Sequence, residues 1–129
     1  MQLTANQQRV LATLQQASTP LSAYALLDRL RDAGFSAPVQ VYRALERLAE
    51  QGLVHRLESL NAYVSCSHSG GCRHGLKAFA ICDNCGHVDE FTDNSLGRYL
   101  GRWMKDNAFS LRTSTIELHG KCEACVAPQ

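Results

Sequence analysis

The amino-acid sequence predicts an α+β chain made of two dissimilar halves. Residues 3–52 hold three short amphipathic segments of helical period with almost no strand signal. After Gly52 the period changes to that of a β-hairpin. Farther on, two Cys-x-x-Cys pairs, at 82/85 and 122/125, flank a strand, helix and strand pattern. Those three observations set the expectation. A length of 129 residues, 45% of them apolar and 19% charged, suits one domain or two small ones, and excludes disordered, collagenous and repetitive classes.

The first helix is expected to start near Asn6 as N-cap, run through Val10, Leu11 and Leu14, and stop before Ser18-Thr19-Pro20. The second runs from about Ser22 to Ala33, burying Ala23, Leu26, Leu27 and Leu30, with Gly34 as its stop. The third follows Ser36 with Pro38 in its first turn, puts Val41, Ala44, Leu45 and Leu48 on one stripe, and ends at Gly52. Residues 53–57 and 62–66 then read as strands around Glu58-Ser59-Leu60-Asn61. Three helices followed by a hairpin is the order of a winged helix-turn-helix, whose third helix enters the major groove. Residues 1–66 are therefore assigned to a winged-helix DNA-binding domain and 67–75 to a linker.

Residues 76–129 form a second domain, α/β in character. Lys77 to Ile81, Val88 to Phe91 and Leu111 to Leu118 read as strands, and Asp93 or Asn94 caps a helix that runs through Leu96, Leu100 and Trp103 to about Asn107. Barely 50 residues bury little core, so a metal staple or an oligomer interface is expected, as in a dimerisation or ligand domain.

Net charge is +1, divided as +2 over residues 1–57 and −1 over the remainder, so bulk charge does not announce nucleic acid. The longest stretch free of formal charge, residues 10–27, is broken by Gln15, Gln16, Ser18, Thr19, Pro20 and Ser22, which argues against a membrane partner. Neither a basic nor an apolar leader region opens the sequence, and a cytoplasmic location is expected. There thiols stay reduced, so metal binding is the leading explanation for six cysteines.

Cys82 with Cys85, and Cys122 with Cys125, each place two thiolates on a tight knuckle, and two knuckles complete a tetrahedral four-thiolate zinc site. The 36 residues between the pairs exceed the usual ribbon gap of about 15 to 20, and the intervening elements account for the excess. A closed four-thiolate site is structural rather than catalytic. A thioredoxin-like motif is the alternative, but its βαβ context is missing. Further ligand-type residues, His55, Cys66, His68, Cys72, His74, His87, Glu90 and His119, are numerous for so small a chain.

The strings Tyr42-Arg43-Ala44-Leu45, Gln51-Gly52-Leu53-Val54-His55, Ile81-Cys82-Asp83-Asn84-Cys85-Gly86 and His119-Gly120-Lys121-Cys122-Glu123-Ala124-Cys125 resemble the ferric uptake regulator family, and within it the zinc-sensing branch. The resemblance runs from Leu21-Ser22-Ala23-Tyr24 to Cys125. It implies a homodimeric, metal-activated transcriptional repressor acting on palindromic operator DNA, here one that responds to zinc and controls zinc uptake genes. By the same resemblance Cys82, Cys85, Cys122 and Cys125 hold structural zinc, while His55, Cys66, His74 and Glu90 hold a regulatory zinc, making two Zn2+ per chain. His68, Cys72 and His87 are the substitutes considered for a regulatory ligand. Iron-type members usually carry a His-rich run before the first pair; here Gly71-Cys72-Arg73-His74-Gly75 stands there, which weakens the iron or peroxide alternative.

On the third helix, Gln40, Arg43 and Arg47 lie opposite the apolar stripe. Arg43, near the N-terminal end, is placed to read guanine, and Tyr24 and Tyr42 to touch phosphate or a thymine methyl. A zinc hydrolase or thiol redox enzyme is the competing class, but no nucleophile elbow, HExxH or phosphate loop occurs, and no enzyme is expected.

Overall fold

The computed structural model describes residues 2–66, 78–91, 94–112 and 114–126. The chain divides into two units, Met1–Arg73 and His74–Gln129.

In the first unit, helix α1 (Ala5–Gln16) is capped by Thr4 and not by Asn6. Thr4 Oγ1 accepts from the Gln7 backbone N–H at 3.2 Å while Gln7 Oε1 accepts from the Thr4 N–H at 3.1 Å. This reciprocal box satisfies two orphan donors where a lone Asn cap satisfies one, and it moves the start upstream. Ser22 caps α2 (Ala23–Leu30), accepting from Ala25 N–H at 3.1 Å. The predicted last turn, Arg31–Ala33, is a separate 3-10 turn, closed by Gly34 at φ +97°, a left-handed conformation that an L side chain resists. Ala37 is extended ahead of Pro38, as a residue before proline must be, and α3 (Pro38–Glu50) follows.

These helices bury the expected stripes: Val10 and Leu14 from α1, Leu26, Leu27 and Leu30 from α2, and Val41, Ala44, Leu45 and Leu48 from α3. Strands β1 (Val54–Leu57) and β2 (Ala62–Ser65) pair antiparallel with His55 opposite Val64. Leu21 and Tyr63 exchange backbone hydrogen bonds of 3.1 and 2.8 Å, tying the entry to α2 onto the hairpin. Burial raises the pKa of the Tyr63 hydroxyl. The order is that of a winged helix, and its core is continuous.

In the second unit, β3 (Ala78–Cys82) is the central strand of three, antiparallel to β4 (Val88–Phe91) and parallel to β5 (Ile116–Gly120). A parallel pair cannot be closed by a hairpin, and α4 (Asn94–Asp106) lies on the crossover between β4 and β5. The third strand therefore differs from the predicted 111–118. Its ladder begins where β3 supplies a partner, Ala78 opposite Ile116, and runs to Cys82 opposite Gly120. One further element was not anticipated, a single turn α5 (Glu123–Val126). Residues 92 and 93, including the candidate cap Asp93, lie outside the described residues.

Among the described residues, full burial in this unit is confined to Ala78, Phe79, Ile81 and Cys82, all on β3. Helix α4 is strongly amphipathic yet buries no residue. Among the described residues no helix is long and apolar enough to cross a membrane.

Leu45→Ala, at a wholly enclosed site, is expected to cost about 2–5 kcal/mol, whereas Leu60→Ala at the exposed hairpin tip should stay within about 0.5 kcal/mol. Urea unfolding followed by helical circular dichroism measures both; equal shifts would contradict the core described.

Candidate metal centre and nucleic-acid interface

Parallel pairing of β3 with β5 is what assembles the four cysteines. It sets Cys82, the last residue of β3, opposite Gly120, the last of β5, so the two knuckles leave the sheet side by side. Asp83 N–H donates to the Gly120 carbonyl at 2.7 Å and locks that exit. The first knuckle closes through Gly86 N–H to the Cys82 carbonyl at 3.0 Å, with Gly86 at φ +80°. The second closes on α5, where Cys125 and Val126 N–H both donate to the Cys122 carbonyl at 2.9 Å.

The four Sγ atoms lie within 4.8 Å of one another, and all four thiols are free. Cys85 and Cys122 Sγ are 3.7 Å apart. A tetrahedral zinc with bonds of about 2.3 Å requires sulfur separations of about 3.8 Å, so this donor set fits the metal. A disulfide, at about 2.05 Å, does not describe it.

Cys85 N–H points at Cys82 Sγ from 3.4 Å and, with other backbone donors, brings that thiol down to about 5. At Cys85 the His87 backbone N–H works in the same direction, but the neighbouring Cys82 and Cys122 sulfurs outweigh it and push the thiol up to about 11. The thiols thus compete for ionisation, and a divalent cation removes that competition by taking every thiolate. Asn84 adds a side-chain N–H to Cys125 Sγ at 3.3 Å. Sequence reasoning passed over Asn84, whose amide inside Cys-x-x-Cys is the signal that could have found it.

Of the other candidate ligands, His55 on β1 is buried at 6% exposure, the one buried polar side chain among the described residues. Cys66 follows β2, its N–H donating to the Leu53 carbonyl at 2.8 Å. The hairpin brings their ligand atoms within 4.8 Å of each other. Glu90 is half-buried on β4 in the second unit, opposite Phe79. His87 is exposed and occupied with Asp89 at 2.9 Å. His68, Cys72 and His74 lie outside the described residues.

On the first unit, Tyr24 of α2 and Tyr42 and Arg43 of α3 are exposed. Arg43 and Arg47 line a groove of about 560 Å³ beside Thr4 and Asn6. Arg47 meets Glu50 at 3.4 Å in an exposed pair, an interaction worth little to stability. Gln40 lies off the buried stripe, as expected, and holds the start of its own helix. Its Oε1 accepts from Ser36 N–H at 2.7 Å and Ala37 N–H at 3.0 Å, so the amide oxygen needed for a bidentate adenine contact is committed to the start of α3.

Residues 1–119 match the sequence profile of the ferric uptake regulator family. The zinc uptake regulation protein of Escherichia coli (strain K12) is 41% identical over 127 residues, 98% of this chain and 74% of that protein. The structure of a zinc uptake regulator complexed with zinc and DNA is similar at 40% identity and a TM-score of 0.90, over 98% of this chain and 84% of that one. The crystal structure of holo XcZur is similar at 39% identity and a TM-score of 0.89, over 99% and 89%.

Cys82→Ser and Cys122→Ser should each lose one zinc per chain and unfold the second unit, since structural zinc contributes folding free energy directly. Metal analysis beside hydrogen exchange over β3 and β5 measures this. Undiminished zinc and retained protection in both variants would sink the four-cysteine assignment.

Proposed function

The chain belongs to the ferric uptake regulator family, and from that premise we propose that it is a zinc-responsive transcriptional repressor. It binds palindromic operator DNA as a homodimer when its regulatory site is zinc-loaded, and controls zinc uptake genes. The observation that carries the reading is a pair of ligand-type residues, His55 and Cys66, whose donor atoms lie within 4.8 Å of each other on the wing of the same unit that presents Arg43. Metal occupancy and DNA contact then share one small fold.

Structural zinc belongs to Cys82, Cys85, Cys122 and Cys125. Regulatory zinc belongs to His55, Cys66, His74 and Glu90, a set of two imidazoles, one thiolate and one carboxylate. That donor set suits Zn2+ over Mg2+ or Ca2+, which prefer oxygen. When bound, zinc supplies two positive charges that thiolate and carboxylate neutralise. The ligands come from both units, so their joint engagement couples metal occupancy to DNA affinity. Allosteric linkage of about 1–3 kcal/mol, roughly 5- to 150-fold, is the ordinary scale of such coupling.

At the DNA, Arg43 reads guanine, Tyr24 and Tyr42 contact phosphate or a thymine methyl, Arg47 contributes charge, and Gln40 sets the start of the recognition helix. Partnership with a second copy is supported by the second unit's surface. Tyr99 and Trp103 of α4 are 68% and 51% exposed, and Phe109, Leu111 and Leu118 are exposed as well. An isologous dimer covers such a face and matches the two-fold symmetry of a palindrome. The family is one of transcription regulators, and the protein is read as a cytoplasmic regulator without enzymatic activity.

The test is duplex binding by reduced protein with zinc, iron and manganese at matched free concentrations. Zinc should strengthen specific binding about 5- to 150-fold, and Cys66→Ser and Glu90→Ala should keep one zinc per chain yet lose that response. Equal activation by iron or manganese, or tight binding without metal, would overturn the reading.

Arg43→Ala should weaken specific binding by about 1–3 kcal/mol while leaving zinc content unchanged. A wild-type ratio between operator and random duplex in that variant would reduce Arg43 to a solvated charge.

A further inference from the structure

An exposed apolar residue at the start of α3 is unaccounted for by folding. Val39, the second residue of the helix, is 49% exposed and lies off the buried stripe of Val41, Ala44, Leu45 and Leu48. Valine is a mediocre helix former, stiffened at χ1 by its branched β-carbon, so neither propensity nor burial explains it there. It precedes exposed Tyr42 by three residues and exposed Arg43 by four, which puts the three side chains on one outward face. The polar neighbour in the same turn, Gln40, has its amide oxygen held by Ser36 and Ala37 N–H. The first turn carries no acidic residue to repel phosphate.

We propose that Val39 is a specificity-determining residue that reads a thymine C5-methyl in the major groove beside the base contacted by Arg43. The inference rests on the DNA-binding reading above. N-terminal residues of a recognition helix are those that reach base edges, and the one apolar feature offered there is the thymine methyl. Gln40 is a positioning residue in this arrangement, since its hydrogen bonds fix the turn from which Val39 projects.

The experiment begins by selecting an operator from a random duplex pool with the zinc-loaded full chain. Thymine is then replaced by uracil at each position of one half-site, which deletes only the methyl group. For wild type, one replacement should weaken binding about fourfold, the equivalent of one methyl group at ~0.8 kcal/mol. Val39→Ala, an exposed change toward a better helix former, should keep zinc content and bind thymine and uracil alike at that position, with the other positions unchanged. A wild-type thymine-to-uracil ratio in Val39→Ala, with the effect lost instead in Tyr42→Ala or Tyr24→Ala, would overturn the proposal. Absence of any uracil effect in wild type would overturn it too. Failure of zinc-loaded protein to select any operator would instead sink the DNA-binding reading itself, which separates the two outcomes.

Discussion

Scarcity of buried apolar surface is the constraint under which the second unit folds. Its fully enclosed residues, among those described, are Ala78, Phe79, Ile81 and Cys82 on a single strand, and its one long helix buries none. At about 25 cal/mol per Å² of apolar surface, four such side chains do not offset the ordering of three strands and a helix. A metal held by the four sulfurs would supply the missing constraint. Pairing of β3 with β5 aligns Cys82 with Gly120, the knuckles follow, and the 3.7 Å separation of Cys85 and Cys122 already has the spacing of a shared tetrahedral metal.

The first unit is built on the opposite principle. Three helices and the hairpin enclose a continuous apolar core from Val10 to Tyr63, so its geometry needs no metal. What that core provides is a fixed platform: α3 with Tyr42 and Arg43 outward, and a wing that carries His55 and Cys66 together. A metal site that draws on this wing acts on a unit already folded, so occupancy can regulate without being required for folding. In the proposed assignment, structure and regulation use chemically different donor sets, four thiolates for one and a mixed nitrogen, sulfur and oxygen set for the other.

Much of this was legible in the residues, for identifiable reasons. Helical stripes such as Val41, Ala44, Leu45 and Leu48 repeat at 3.6-residue spacing, and Cys-x-x-Cys is a local geometric statement about two sulfurs. Ends and registers were not. Thr4 displaced Asn6 as cap because the reciprocal bond from Gln7 is a pair property. The third strand began at Ile116 rather than Leu111 because a parallel partner on β3 decides its extent. Gln40 reads as an outward-facing residue of the DNA-binding helix, but Ser36 and Ala37 N–H claim its amide oxygen, a choice invisible to helical periodicity. The burial of His55 was equally hidden, since one histidine in a short strand looks the same whether buried or solvated.

Whether two zinc ions do two separable jobs is decided by stepwise chelation of the reduced, zinc-loaded protein. Bound zinc by native mass spectrometry, operator affinity and hydrogen exchange over β3 and β5 are followed together as chelator strength rises. One zinc per chain should leave first, taking operator binding with it while β3 and β5 stay protected. The second should leave only with a stronger chelator, together with that protection. Loss of both ions in one step, or operator binding that survives departure of the first, would show that the two sites are not separable.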